Sequence, residues 1–220
     1  LRARRPATWP AASLLPAALA LAALGLRLAP PALGERLIFD RVAVVDGGER
    51  WRIVTGALVH FSWSHALGDA LALAAAGLCL DPRRRAETAV LLFGAMAASG
   101  LGVLRYAPEL RWYGGLSGVA HAVVVHAALA GLRRGGAGRA LSAAVLGLVA
   151  VKLAVDGDAA RQLAATYAGS RVVVADVSHR AAVAFALALS GLVALAGYVR
   201  AKMGSGAVGT GSCSRVPAAP

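Results

Sequence analysis

Long apolar stretches separated by short basic segments dominate this chain and leave it few folds to adopt. Six such runs fall at about 9–29, 61–80, 86–105, 115–132, 138–155 and 178–199. Each is long enough, or nearly so, to cross a bilayer as a helix. The second and fourth are marginal in length and glycine-rich, which suits helices that begin below the membrane surface. The chain is 58% hydrophobic with a mean hydropathy of +0.65. A soluble domain of 220 residues needs far less apolar material. The expected fold class is therefore an all-α membrane protein built as a six-transmembrane-helix bundle. The arginines at positions 2–5 precede an apolar stretch from Trp9 to Leu28. That stretch is longer than the apolar core of a secretory signal and lacks a convincing cleavage site, so it reads as the first membrane helix.

The net charge of +12 raises nucleic-acid binding, but its distribution argues for a membrane and no nucleic acid. Arg2, Arg4 and Arg5, then Arg83, Arg84 and Arg85, then Arg133, Arg134 and Arg139, and finally Arg200, Lys202 and Arg215 occupy alternate connections, with only Asp81 and Glu87 as acids among them. The other loops mix signs. The positive-inside rule then places both termini in the cytoplasm. Trp51, Trp63, Trp112 and Tyr113 collect at the opposite face, as an interfacial aromatic belt would. Cys79 and Cys213 form neither a disulfide framework nor a metal spacing, and no cofactor or metal is expected. Residues 1–202 read as one membrane domain. The Gly/Ser/Ala/Pro-rich tail at 203–220 reads as disordered. The first loop, about 30–59, is long, and its apolar spacing is compatible with a segment lying on the membrane.

With this topology, the second, fourth and sixth helices all enter from the outer face. Their first turns share one depth. Helix two brings His60, His65 and Asp69, helix four brings Ser117 and His121, and helix six brings His179. Only Lys and Arg entered the topology, so the convergence is independent of it. Polar groups inside a membrane are expensive and are rarely incidental. Ser117 sits in Gly115-Leu116-Ser117-Gly118, whose small residues let a helix carry it close to a partner. A serine hydroxyl becomes a nucleophile when a neutral imidazole takes its proton. The Ser117 N–H and the His65 side chain are candidate donors to a tetrahedral oxyanion. Taken singly, Gly-x-Ser-Gly is more often a packing face and His179 more often an interfacial anchor. Together in one layer they read as a Ser–His dyad. His126, deeper in helix four, reads as packing or as a helix–helix hydrogen bond.

These residues resemble the rhomboid intramembrane serine proteases. Trp51-Arg52-x-x-Thr55 followed by His60-x4-His65-x3-Asp69 is similar to the family's segment leading into its second helix. Gly115-Leu116-Ser117-Gly118 is similar to its nucleophile motif, and His179 to the base on its sixth helix. The compact six-helix form, Gly-Leu-Ser-Gly-Val-x-His and the tryptophan between His60 and His65 look most like the rhombosortase subgroup. The resemblance implies that Ser117 is nucleophile and His179 general base. It implies that His65 and residue 69 line the oxyanion hole, and that His121 stands where many rhomboids stack an aromatic ring on the catalytic imidazole. It further implies substrates with a C-terminal Gly-Gly, apolar helix and basic tail. Two positions depart from the family pattern. Asp69 replaces the usual Asn, in a chain with no Asn at all. A protonated Asp69 donates as the amide would, and an ionised one binds His65 and holds it charged as a donor. Ala182 and Ala186 replace glycines after His179, which implies slightly looser packing of helices four and six.

The expected function is an intramembrane serine endopeptidase that cleaves membrane-anchored proteins near the outer face of a bacterial inner membrane. The fifth loop, about 156–177, would act as its lid. The alternative is a non-catalytic rhomboid-like protein that binds membrane clients. A small transporter ranks last, because it predicts polar residues across the full membrane depth.

Overall fold

The computed structural model describes residues 14–133, 135–166 and 176–206, with side chains described outside 156–166 and 204–206. It is mostly helical. Six helices of at least 15 residues follow the six apolar runs: α1 (Leu14–Leu28), α5 (Trp63–Gly77), α6 (Arg85–Tyr106), α7 (Ser117–Gly131), α8 (Gly136–Thr166) and α9 (Asp176–Gly206). Three contain stretches long and apolar enough to cross a membrane, at Arg85–Tyr106, Gly136–Val155 and Asp176–Met203. At 15 residues each, α5 and α7 span roughly 22 Å, less than the hydrocarbon core. Ser64 and His65 stand in the first turn of α5, and Ser117 opens α7.

α6, α7 and α9 pack on one another to form the centre, α1 lies along α5, and α8 is peripheral, resting mainly on α7. Small side chains let the backbones approach: Ala95, Ala122, Ala182 and Ala186 are fully buried between Leu73, Leu91, Val119 and Val123. On α6, the Phe185 ring fills the space a Cβ on Gly94 would need.

The first loop is folded rather than loose. It holds three short helices, α2 (Pro31–Leu37), α3 (Arg41–Val45) and α4 (Arg52–Thr55), and a two-residue strand β1 (Phe39–Asp40). That strand pairs antiparallel with β2 (Trp112–Tyr113), matching Phe39 to Tyr113 and Asp40 to Trp112. Arginines anchor it. Arg41 donates to the carbonyls of Val103, Leu104, Ala107 and Leu110 at 2.8–3.1 Å, capping the C-terminal turn of α6. Arg52 is buried, pairs with Glu49 and donates to the carbonyls of Glu35 and Ile38, while the Thr55 hydroxyl donates to Leu37. Asp40 caps α3 through the Val42 and Ala43 N–H groups and accepts from the Trp112 indole at 3.0 Å. Burial pushes the Asp40 carboxyl up, but the Trp112 and backbone hydrogen bonds and nearby Arg111 outweigh it and hold the carboxyl below its ordinary range.

Three expectations change. Tyr113 is not part of an aromatic belt: it is 4% exposed, its ring edge-on to Phe39, whereas Trp51, Trp63 and Trp112 are exposed. Residues 156–166, expected in a lid loop, continue α8, and 176–177 open α9, while 167–175 lie outside the described residues. The first residues of the expected tail, 203–206, are the end of α9, and 207–220 lie outside the described residues. Residues 9–13 of the first run also lie outside them.

Candidate active site

The chain reaches α7 through a tight approach. Gly115 has a φ of +127°, a conformation that L side chains rarely adopt. A Cβ there would also stand 2.8 Å from His65 Cε1 and 3.0 Å from His65 Nε2. The turn sets Leu116 as N-cap and Ser117 as the first residue of α7, with no side chain capping the helix. Ala120 N–H bonds back to the Leu116 carbonyl, so the N–H groups of Ser117, Gly118 and Val119 precede the intrahelical ladder. The partial positive charge of a helix start thus sits directly at a serine hydroxyl.

α9 delivers the partner. His179 is 4% exposed, and its Nε2 lies 2.8 Å from Ser117 Oγ. The tautomer with its proton on Nδ1 accepts from the serine. His121, one turn along α7, stacks on the His179 ring with centroids 4.5 Å apart and planes 20° from parallel, as expected of that position. Its Nδ1 donates to the Ser117 carbonyl at 2.6 Å, which fixes its own orientation. Ala182 does not hold α7 and α9 apart, because a Cβ on Gly118 would meet it at ordinary contact, 3.5 Å. Gly118 itself is required: that Cβ would stand 2.5 Å from Ser99 Oγ and 3.2 Å from the Ser178 carbonyl.

α5 and the turn before it supply the other half. Asp69 Oδ2 lies 3.2 Å from His65 Nε2, one helical turn away, and 3.1 Å from His60 Nε2. His60 is 2% exposed, its Nδ1 donates to the Leu58 carbonyl at 3.2 Å, and its Nε2 is 3.3 Å from the Leu116 N–H. The structure therefore brings together every residue expected at the site: Ser117, His179, His65, Asp69, His121, Gly115 and Gly118.

Sequence reasoning placed His60 in the layer but gave it no role, although it is the more buried partner of Asp69. It missed Tyr113, Ser99 and Ser178. The Tyr113 hydroxyl donates to the Gly115 carbonyl at 3.3 Å, and hydrogen-bonds with Ser178 and Ser99. Burial pushes this phenol above its usual range, against those two bonds, so it stays protonated. Ser99 Oγ donates to the Ser178 carbonyl, tying α6 to the residue before His179. The only sequence signal for Ser178 was its adjacency to His179; Ser99 looked like one more small residue in an apolar run.

A second polar cluster lies two turns further along α7. His126 Nδ1 donates to Ser190 Oγ at 2.8 Å, and its Nε2 lies 2.9 Å from Glu87 Oε1. Arg84 binds the other oxygen of Glu87. Asp81, Arg84, Glu87, His126 and Ser190 border a cavity of about 250 Å³. The helix–helix hydrogen bond expected of His126 is present. Glu87, counted as a loop acid, instead turns into the bundle.

No curated protein matches this chain. Residues 47–195, more than half of it, match the model of the rhomboid domain. The matched region contains the whole site, with α5 and α7 complete and α9 as far as residue 195. The chain belongs to the rhomboid family of membrane proteins, whose members are generally intramembrane serine proteases.

Proposed function

We propose that this protein is an intramembrane serine endopeptidase in which Ser117 is the nucleophile and His179 the general base. The observation that carries the reading is the 2.8 Å approach of His179 Nε2 to Ser117 Oγ at the start of α7. Ser117 Oγ attacks the scissile carbonyl as its proton passes to His179. The oxyanion forms where the free N–H groups of Ser117 and Gly118 and the helix dipole favour negative charge. His65 stands across Gly115 as a further donor, and Asp69 orients it. His179 then gives its proton to the leaving amine, and water or another amine releases the acyl group. The stacked His121 ring holds the imidazole in plane through these transfers.

The charge pattern supports an active site toward the outer side of a bacterial inner membrane, with six spanning helices and both termini inside. Gly-Leu-Ser-Gly-Val-x-His supports the rhombosortase subgroup and substrates ending in Gly-Gly, an apolar helix and basic residues. Glycine lowers helix propensity by about 1 kcal/mol, so such a segment unwinds readily at the cut. A fluorophosphonate probe applied to the purified, folded protein is expected to label the wild type and not Ser117→Ala. A wild type that stays unlabelled yet still binds membrane clients would replace this reading with client binding.

A further inference from the structure

We propose that His60, His65 and Asp69 form a binding site for a divalent transition ion of the Zn²⁺ class. Two imidazole nitrogens and one carboxylate oxygen are a donor set that selects such ions over Mg²⁺ or Ca²⁺. The three donor atoms lie within 4.8 Å of one another, and Asp69 Oδ2 is 3.1 and 3.2 Å from the two nitrogens. Tetrahedral ligands with bonds of 2.0–2.1 Å stand roughly 3.3 Å apart, so two edges of the polyhedron are already set. The third closes by rotation of His65, whose side chain, at 32%, is the most exposed of the three.

The surroundings match the donor set. A metal-binding histidine usually donates its other ring nitrogen to a backbone carbonyl, which fixes the tautomer that leaves a lone pair free. His60 does so through Nδ1 to Leu58, and the ion would take the Nε2 lone pair that accepts the Leu116 N–H at 3.3 Å. His65 and Asp69 are spaced i and i+4 on α5, so they face the same point. His60 reaches that point from the turn before the helix, its side chain fully buried. Three protein ligands leave a fourth position open on the exposed side of His65, beside Gly115. The Asn usual in the family supplies no anionic oxygen here. Asp69 is the residue that turns two hydrogen-bonding histidines into a chelate.

Occupancy has a consequence that rests on the proposed peptidase reading. The ion takes the lone pair of His65 and the oxygen that orients it, removing a donor from the oxyanion region. Binding of the ion therefore inhibits, and chelation restores. The test is a Co²⁺ titration of the full chain in detergent, without a polyhistidine tag, followed by visible absorption and then by Zn²⁺ displacement. One saturable equivalent with a tetrahedral band is expected, with binding weakened at least 10-fold in Asp69→Asn and in His65→Gln. His121→Phe is expected to bind as the wild type does. Helical circular dichroism and gel filtration check that each variant is folded. Absence of saturable binding to wild type, or equal binding by folded Asp69→Asn and His65→Gln, overturns the site. Fluorophosphonate labelling is read separately. Labelling is expected to slow about 10-fold with Zn²⁺ and recover with EDTA. Zn²⁺ slowing that is the same in His65→Gln overturns the inhibitory role, and a wild type unlabelled without any ion refutes the peptidase reading while the Co²⁺ spectrum still decides the site.

Discussion

The two ends of α7 carry the same residue types and differ in what they can do. At its start, Ser117 meets His179; two turns on, His126 binds Ser190 and Glu87, a serine, an imidazole and a carboxylate in hydrogen-bonding reach. By composition the second set is closer to a hydrolytic triad. Position separates them. Ser190 lies in the middle of α9 and donates its hydroxyl proton to the Ala186 carbonyl at 2.7 Å, so no proton remains for the imidazole to take. The N–H groups around it are spent on the helix ladder. Ser117 begins its helix, with uncommitted N–H groups beside its Oγ. The difference teaches that a serine at a helix start keeps its hydroxyl proton and the neighbouring N–H groups available, whereas one in mid-helix spends both on the ladder.

The sharpest way to break that comparison is to remove each serine. Ser117→Ala or His179→Ala is expected to lower cleavage of a membrane-anchored substrate by ~10³-fold or more, whereas Ser190→Ala keeps fluorophosphonate labelling near wild type. Labelling that followed Ser190 would reverse the assignment. Next in size is Gly118→Ala. The added methyl must push Ser99 or the Ser178 carbonyl, and with them His179. A loss of about 10²-fold in turnover and about 1–3 kcal/mol in stability is expected, read from kinetics and thermal melts. Unchanged turnover would show that the two helices are less tightly coupled than their contact implies.

At the other end, Glu87→Ala strips Arg84 and His126 of their common acceptor. We expect it to cost about 1–3 kcal/mol in a melt, with turnover falling less than about threefold. A large loss of activity with little loss of stability would make the lower cluster part of the catalytic apparatus. The smallest effect belongs to Asp40. Its carboxyl is held below its ordinary range when folded, so its contribution is complete above the unfolded value near 3.8 and disappears as pH falls through the lower folded value. Melts between pH 5 and 3 are expected to fall more steeply in wild type than in Asp40→Asn. Parallel curves would sever Asp40 from the pairing of the first loop with β2.

Most of the candidate site was legible from local signals. Apolar run length, basic clusters and helix starts were enough to gather Ser117, His179, His65 and Asp69 into one layer. The resemblance to rhomboids added the expectation of a ring stacked on His179, which His121 meets. The helix ends were less legible, since α8 and α9 run on through residues that look polar enough for loops. The folded first loop was not legible at all. Arg41 looked like an ordinary loop charge, yet it is tied to carbonyls more than 60 positions away. Tyr113 beside Trp112 looked interfacial, and only its pairing with Phe39 turns it inward. In each case the deciding partner is remote in sequence, where no periodicity reaches. His60 is different: its partner Asp69 was close at hand, but the nearer His65 at one helical turn drew the pairing.

The guanidinium of Arg41 carries a consequence for traffic through the bundle wall. It is the donor for four carbonyls around the end of α6. A buried carbonyl left without its donor costs about 1–3 kcal/mol. Swinging the first loop outward would strand all four, so that flank is a sealed seam. α8 is the contrasting flank: little of its apolar stretch is buried, and Arg180 on α9 donates to its Leu153 carbonyl at 3.1 Å.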